Sequence, residues 1–246
     1  MPPSEFSNPR LVALYDTLNP LGRDSDFYLC LGAELAARKV VDVGCGTGLL
    51  ASEFAKRGHA VIGLDPEAAM LDAAKRQPHG QDITWILGTA AALGPCDADF
   101  VIMTGHVAQV FLEEVDWRRG LESIREALRR DGHLAFEARN LSAQRWQRWT
   151  KAGTLREIID DAGNAVTVWT EVLEASGNRV RFAMHYAWKQ SGEELISENT
   201  IAFRSETEIR QALRNAGFSV TQTYGDWDKS PVRVASPELI FVARRI

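Results

Sequence analysis

The sequence predicts an α/β protein built on an open, doubly wound and mostly parallel sheet. Three observations carry this. Between Lys39 and Glu137, short apolar or β-branched runs alternate with helix-patterned segments at the spacing of βαβ units. Those runs are nearly continuous in apolar residues, as strands buried on both faces must be. The first of them ends in a glycine-rich turn leading into a helix, at the strand end where open α/β sheets bind ligands.

The elements follow in order. Asn8-Pro9 supplies an N-cap and a proline at the first helical position, and Leu11, Val12, Leu14, Tyr15 and Leu18 follow at helical spacing. After the Asn19-Pro20 break, a second helix is expected from about Asp24 to Ala37. Val40 to Val43 is the first strand, Leu49 to Arg57 a helix closed by Gly58, and Ala60 to Leu64 the second strand. Pro66 opens a helix through about Arg76. Further strands are expected at Ile83–Leu87, Phe100–Met103 and His133–Glu137, with an amphipathic helix over Trp117–Arg130 stopped by Asp131-Gly132.

From Ala165 to Arg204 the rhythm changes to three strand-like runs. In the middle one Val180, Phe182, Met184, Tyr186 and Trp188 share a face opposite Arg181, Ala183 and His185. Turn residues separate the runs, so residues 165–204 are expected to form an antiparallel, three-stranded insertion covering the active site. Ser205 and Glu208 form a capping box for a helix ending at Gly217. Strands at Phe218–Tyr224 and Leu239–Ala243 close the chain. The expected organisation is one domain over 1–246, with an N-terminal helical cap over 1–37 and the 165–204 insertion as lid.

Composition excludes several classes. The 246 residues are 45% hydrophobic and 25% charged, ordinary for a soluble globular protein. No window approaches the ~18 apolar residues that a membrane span needs. A net charge of −5 argues against a phosphate-tracking nucleic-acid binder. Cys30, Cys45 and Cys96 are widely spaced and suggest neither disulfides nor zinc, and no grouping has metal-ligand spacing. The N-terminus lacks a secretory pattern. A cytoplasmic protein, monomer or homodimer, is expected, without membrane or nucleic-acid partners.

The most informative segment is Val41-Asp42-Val43-Gly44-Cys45-Gly46-Thr47-Gly48. Glycines there let backbone approach a ligand where a Cβ would clash. The next strand ends in Asp65, 17 residues beyond Gly48, and a carboxylate there can accept both hydroxyls of a ribose. A dinucleotide fingerprint would need glycine at position 49, which is Leu49. Asp42 beside the loop suits a cationic amino group or sulfonium better than a pyrophosphate.

This D-x-G-C-G-T-G segment, followed by Gly-Leu-Asp at the end of the second strand, resembles the class I S-adenosylmethionine (SAM)-dependent methyltransferases. The resemblance is strongest over Lys39–Arg139. It implies a Rossmann-like, seven-stranded sheet of order 3-2-1-4-5-7-6 with the last strand antiparallel. It also implies SAM as cofactor and S-adenosylhomocysteine as product. Gly44, Cys45, Gly46 and Gly48 would pack under the methionine part, with Asp42 near its amino end. Asp65 would hold the ribose, with Pro66 and Met70 beside the nucleoside. The acid often found after the third strand is replaced by Leu87-Gly88-Thr89-Ala90, so Thr89, Ala90 or a backbone carbonyl would meet the adenine. Thr104 would line the site after the fourth strand.

Methyl transfer from a sulfonium is an in-line displacement in which positioning supplies much of the rate. His106, just beyond the fourth strand, is the candidate base, its ordinary pKa of ~6.5 suiting proton removal at neutral pH. The Gly105-His106 and Tyr15-Asp16 pairs are similar to those of amino-sugar N-methyltransferases, which makes Tyr15 the second catalytic candidate. Arg139, Asn140, Trp146 and Tyr186 are candidate substrate residues. The reading is methyl transfer to nitrogen or oxygen of a small molecule. An RNA or protein methyltransferase and a non-catalytic SAM-binding regulator are the alternatives.

Overall fold

The computed structural model describes residues 4–246; the first three residues of the expected N-terminal cap (1–37) lie outside them. Asn8 caps the first helix through its side chain, which accepts the Arg10 N–H, and Pro9 fills the first helical position. The expected first helix is two one-turn pieces, α1 (Pro9–Val12) and α2 (Tyr15–Leu18). Helix α3 (Arg23–Glu34) follows. Then come β1 (Lys39–Val43), α4 (Leu49–Lys56), β2 (Ala60–Asp65), α5 (Ala68–Ala74), β3 (Thr84–Leu87), β4 (Ala98–Met103), α6 (Glu114–Ala127) and β5 (Leu128–Arg139).

A short helix α7 (Lys151–Thr154) leads into β6 (Arg156–Ile159), β7 (Ala165–Ser176), β8 (Arg179–Trp188) and β9 (Glu194–Ala202). The chain ends with α8 (Glu206–Asn215), β10 (Phe218–Tyr224) and β11 (Glu238–Arg245). The Ser205–Glu208 capping box forms as the sequence predicts.

The main sheet runs β10-β11-β5-β4-β1-β2-β3, with β11 antiparallel to both neighbours. Counting only its own strands, this is the expected order 3-2-1-4-5-7-6. Apolar residues cover both faces, as a doubly wound sheet requires. On one face Trp117, Leu121 and Ile124 of α6 and Ile209 and Leu213 of α8 pack on Phe136 and Phe241. On the other, Phe27, Tyr28 and Leu31 of α3 and Phe54 of α4 meet Val40, Phe100 and Ile240. Burying each such side chain is worth about 1.5–3 kcal/mol.

The second sheet differs from the expectation: it has four strands, β6-β7-β8-β9, all antiparallel. The added strand is a four-residue edge whose Arg156 and Glu157 are exposed. Charged, short edges resist further pairing and carry no apolar alternation to read. Strand β5 also begins earlier than expected. Asp131, at φ +63°, makes a bulge inside the strand instead of ending α6 beyond it.

Leu11, Leu14 and Leu18 pack against Val166, Val168, Tyr186 and Trp188 of the second sheet. Glu5 fastens the contact: its N–H donates to the Ser197 hydroxyl (2.9 Å) and its carboxylate accepts the Tyr186 hydroxyl (2.6 Å). No helix among the described residues is long and apolar enough to cross a membrane.

Candidate active site

The turn after β1 is fixed to β2, because the N–H groups of Gly44 and Cys45 both donate to the Leu64 carbonyl at 2.8 and 3.0 Å. Two of its glycines serve different needs. A Cβ on Gly48 (φ +73°) would fall 2.6 Å from the Trp85 ring and 2.8 Å from Ala74, so this position is closed by packing. A Cβ on Gly46 (φ +54°) would meet only Tyr15, at 3.7 Å. Gly46 therefore faces the open side, where a ligand can lie on bare backbone.

Asp65 reaches back to this loop. Its Oδ2 accepts the Gly46 N–H and its Oδ1 the Glu67 N–H, both at 2.9 Å. Each carboxylate oxygen keeps a further lone pair for a ribose hydroxyl. Met70 is buried on α5 and Pro66 exposed at its start. Thr89 is exposed at the end of β3, Ala90 lies in the core, and Thr104 is half-buried after β4. Burial, with Asp42 and Asp65 adding to it, pushes the Cys45 thiol well up, so it stays protonated.

Asp42 tests whether a cationic group fits here. It is buried, its Oδ1 has no hydrogen-bond partner, and burial followed by Asp65 and Glu137 pushes its carboxyl up to about 7. An unpaired buried carboxylate is costly. An α-amino group at this loop would supply the missing partner, so the residues present fit the methionine end of SAM.

Helix α2 closes the loop from the N-terminal side. Asp16 accepts the Thr47 hydroxyl through one oxygen and the Gln77 amide (2.7 Å) through the other. Next to it, the Tyr15 hydroxyl makes no hydrogen bond among the described residues. Burial, with Glu5, Asp65 and Asp16 adding to it, raises its pKa, so it is a neutral phenol at neutral pH.

Past β4 the backbone enters the left-handed region twice, at Gly105 (φ +68°) and His106 (φ +67°). For a non-glycine residue that strain needs an anchor. Glu137 supplies it: Oε1 accepts the His106 N–H at 2.7 Å, while Oε2 accepts the Tyr28 hydroxyl. The His106 ring points its Nε2 at Glu238 Oε2, 3.0 Å away. Burial, and then the Arg139 guanidinium, holds the imidazole well below its usual range. It is neutral at neutral pH; with the ring proton assigned to Nε2, toward a Glu238 carboxyl oxygen, Nδ1 keeps a free lone pair.

Sequence reasoning missed Glu137, Tyr28 and Glu238. Glu137 carried a readable signal, a lone acid inside an apolar strand, as Asp42 is in β1. Tyr28 and Glu238 carried none, because their partners lie 109 and 132 residues away.

The four candidate substrate residues separate. Arg139 is half-buried; its backbone N–H and Nη1 donate to Gln109 Oε1 (3.2 and 3.1 Å), and its guanidinium lies over the Trp149 ring at 5.2 Å. It lines a cavity of about 410 Å3 with Arg145, Arg148, Trp149 and Glu238. Asn140 is spent on structure, its amide donating to the carbonyls of Arg233, Val234 and Ser236. Trp146 packs on Phe203 at 4.6 Å and edges a separate groove. Tyr186 is held in the contact with Glu5. Among the described residues no group of three His, Cys, Asp or Glu is placed to hold a metal.

Residues 40–132 match the family model described as a methyltransferase domain. A ubiquinone biosynthesis O-methyltransferase of Pectobacterium atrosepticum is 31% identical over 123 residues, 48% of this chain and 50% of that protein. The chain spans less than half the length of the first curated relatives it matches. Among solved structures, the CcbJ methyltransferase of Streptomyces caelestis superposes with a TM-score of 0.74 at 18% identity, covering 98% of both chains. The SAM-bound amino pentose methyltransferase of Micromonospora echinaspora gives 0.70 at 20% identity, covering 95% of this chain and 97% of that one. These likenesses establish a shared fold. The sheet order and the glycine turn with its buried acid accompany the methyltransferase-domain match over residues 40–132, within a fold shared with those solved structures.

Proposed function

We propose that the chain transfers the methyl group of SAM to a nitrogen or oxygen of a small molecule. The observation carrying this is the loop itself: open backbone at Gly46 beside the unpartnered, buried Asp42 carboxylate. The sulfonium supplies an activated methyl carbon. The protein's part is to hold the acceptor ~3–3.5 Å from that carbon and in line with the breaking bond, which is worth ~7–11 kcal/mol.

His106 takes the acceptor proton at Nδ1. Glu137 fixes its backbone and Glu238 its ring. Tyr15, on the N-terminal side of the loop beside Gly46, is a neutral donor there. The second sheet, tied to the N-terminal helices, serves as the cover that limits acceptor size. Neighbours of the same fold include a sugar N-methyltransferase and the amino pentose enzyme, which supports a small acceptor.

The test is S-adenosylhomocysteine release with pooled small-molecule amines and hydroxyl compounds, and in parallel with RNA and with protein. Turnover by a small-molecule pool is expected. Turnover confined to RNA or protein would contradict the acceptor class. SAM binding without turnover of any pool would favour a regulator.

A further inference from the structure

We propose that the cavity beside the His106–Glu238 pair binds the acceptor and selects small molecules carrying an oxyanion group, held by Arg139, Arg145 and Arg148. This deepens the methyltransferase reading and rests on it. The cavity, about 410 Å3 in volume, is lined by Arg139, Arg145, Arg148 and Trp149, together with Glu238. Like charges gathered around a small space repel one another unless an anion is shared among them.

No carboxylate is ion-paired with the three arginines among the described residues; Glu238, in the same wall, acts on Arg139 and Arg145 without a salt bridge. The side chains of Arg145 and Arg148 make no hydrogen bonds among those residues. Arg139 is half-buried, and its only side-chain hydrogen bond is Nη1 to Gln109 Oε1 at 3.1 Å. Most of its five donors are therefore left for a ligand. Guanidinium matches carboxylate and phosphate in a two-pronged geometry, and the Trp149 ring over Arg139 limits how that fork can turn.

Glu238 does not oppose an incoming anion at full strength. Burial raises its carboxyl to about 7, so at neutral pH much of it is uncharged. The same residue contacts His106 Nε2 at 3.0 Å. An acceptor anchored by its oxyanion thus sits in a cavity that Glu238 links to the imidazole.

The probes are pyrophosphate and benzoate, titrated at constant ionic strength into the full chain saturated with S-adenosylhomocysteine and followed by calorimetry. Saturable binding of at least one probe is expected. Pyrophosphate preference assigns a phosphate-bearing acceptor, and benzoate preference a carboxylate-bearing one.

The double variant Arg145→Ala/Arg148→Ala changes exposed side chains and should weaken probe binding at least about tenfold. Its S-adenosylhomocysteine affinity should stay within about twofold. Arg118→Ala, exposed on α6, should leave probe binding unchanged. Saturation by neither probe, or equal binding by the double variant, overturns the proposal. If S-adenosylhomocysteine itself fails to bind, the methyltransferase reading falls, and the same titration on the cofactor-free chain still decides the anion site.

Discussion

Around the glycine loop, the hydrogen bonds to backbone come from one stretch of chain, β1 through the start of α5, with Tyr15, Asp16, Ala74 and Trp85 packed around it. Around His106, the partners are side chains drawn from β5, β11, α3 and the segment after β5. The first region needs particular conformations, which glycine and a few acids provide locally. The second needs particular neighbours, which only the folded sheet brings together. A cofactor common to many enzymes can be served by a fixed loop, whereas an acceptor that differs between enzymes needs a wall of exchangeable side chains.

The difference can be broken experimentally, beginning with the largest effect. His106→Ala should lower turnover by ~10²–10⁴-fold while leaving SAM affinity unchanged; initial rates and calorimetry separate the two. Because His106 is held below its ordinary pKa, the acid limb of the wild-type rate profile from this group should lie well below pH ~6.5. Unchanged turnover across pH 6–9 in the variant would remove His106 from the reaction.

Gly48→Ala should cost ~2–4 kcal/mol of stability, from strain at positive φ and from overlap with Trp85 and Ala74. Gly46→Ala should cost only ~1–2 kcal/mol yet weaken SAM binding, since its Cβ enters open space. Urea melts and calorimetry on the pair read this directly. Equal stability losses would mean that both glycines answer to packing.

Asp42→Asn should trade binding for stability. The folded-state pKa of Asp42 is raised to about 7, so the folded state holds this proton more tightly than the unfolded one. Stability from this group is therefore present at low pH and lost as pH rises from ~4 to about 7. The variant should be more stable than wild type at pH 8 by on the order of 1–3 kcal/mol, with the gain gone near pH 4, and should bind SAM more weakly. Parallel urea curves at the two pH values check the sign. At the low end, Asn140→Ala should cost ~1–3 kcal/mol by freeing three carbonyls of the 233–236 loop, without changing SAM affinity.

What could be read from the sequence follows the same division. The strand order's first five members, the glycine turn and the Ser205–Glu208 capping box all depend on residues close in sequence, and each formed. The edge strand Arg156–Ile159 escaped because exposed charges at a sheet edge leave no apolar period. Asp131-Gly132 read as a helix stop but forms a bulge, because the strand pairs with β4 at Leu128 before it and at His133 after it. The acceptor side escaped almost entirely. Glu137 meets the His106 backbone from 31 residues away and Glu238 meets its ring from 132, and no local pattern records such meetings.

The turn after β1 should bind SAM. Calorimetric titration of the wild-type chain with SAM, S-adenosylhomocysteine and NAD tests it most directly. Micromolar binding of the first two, with no saturable heat from NAD, is the predicted result. NAD binding tighter than SAM would contradict it.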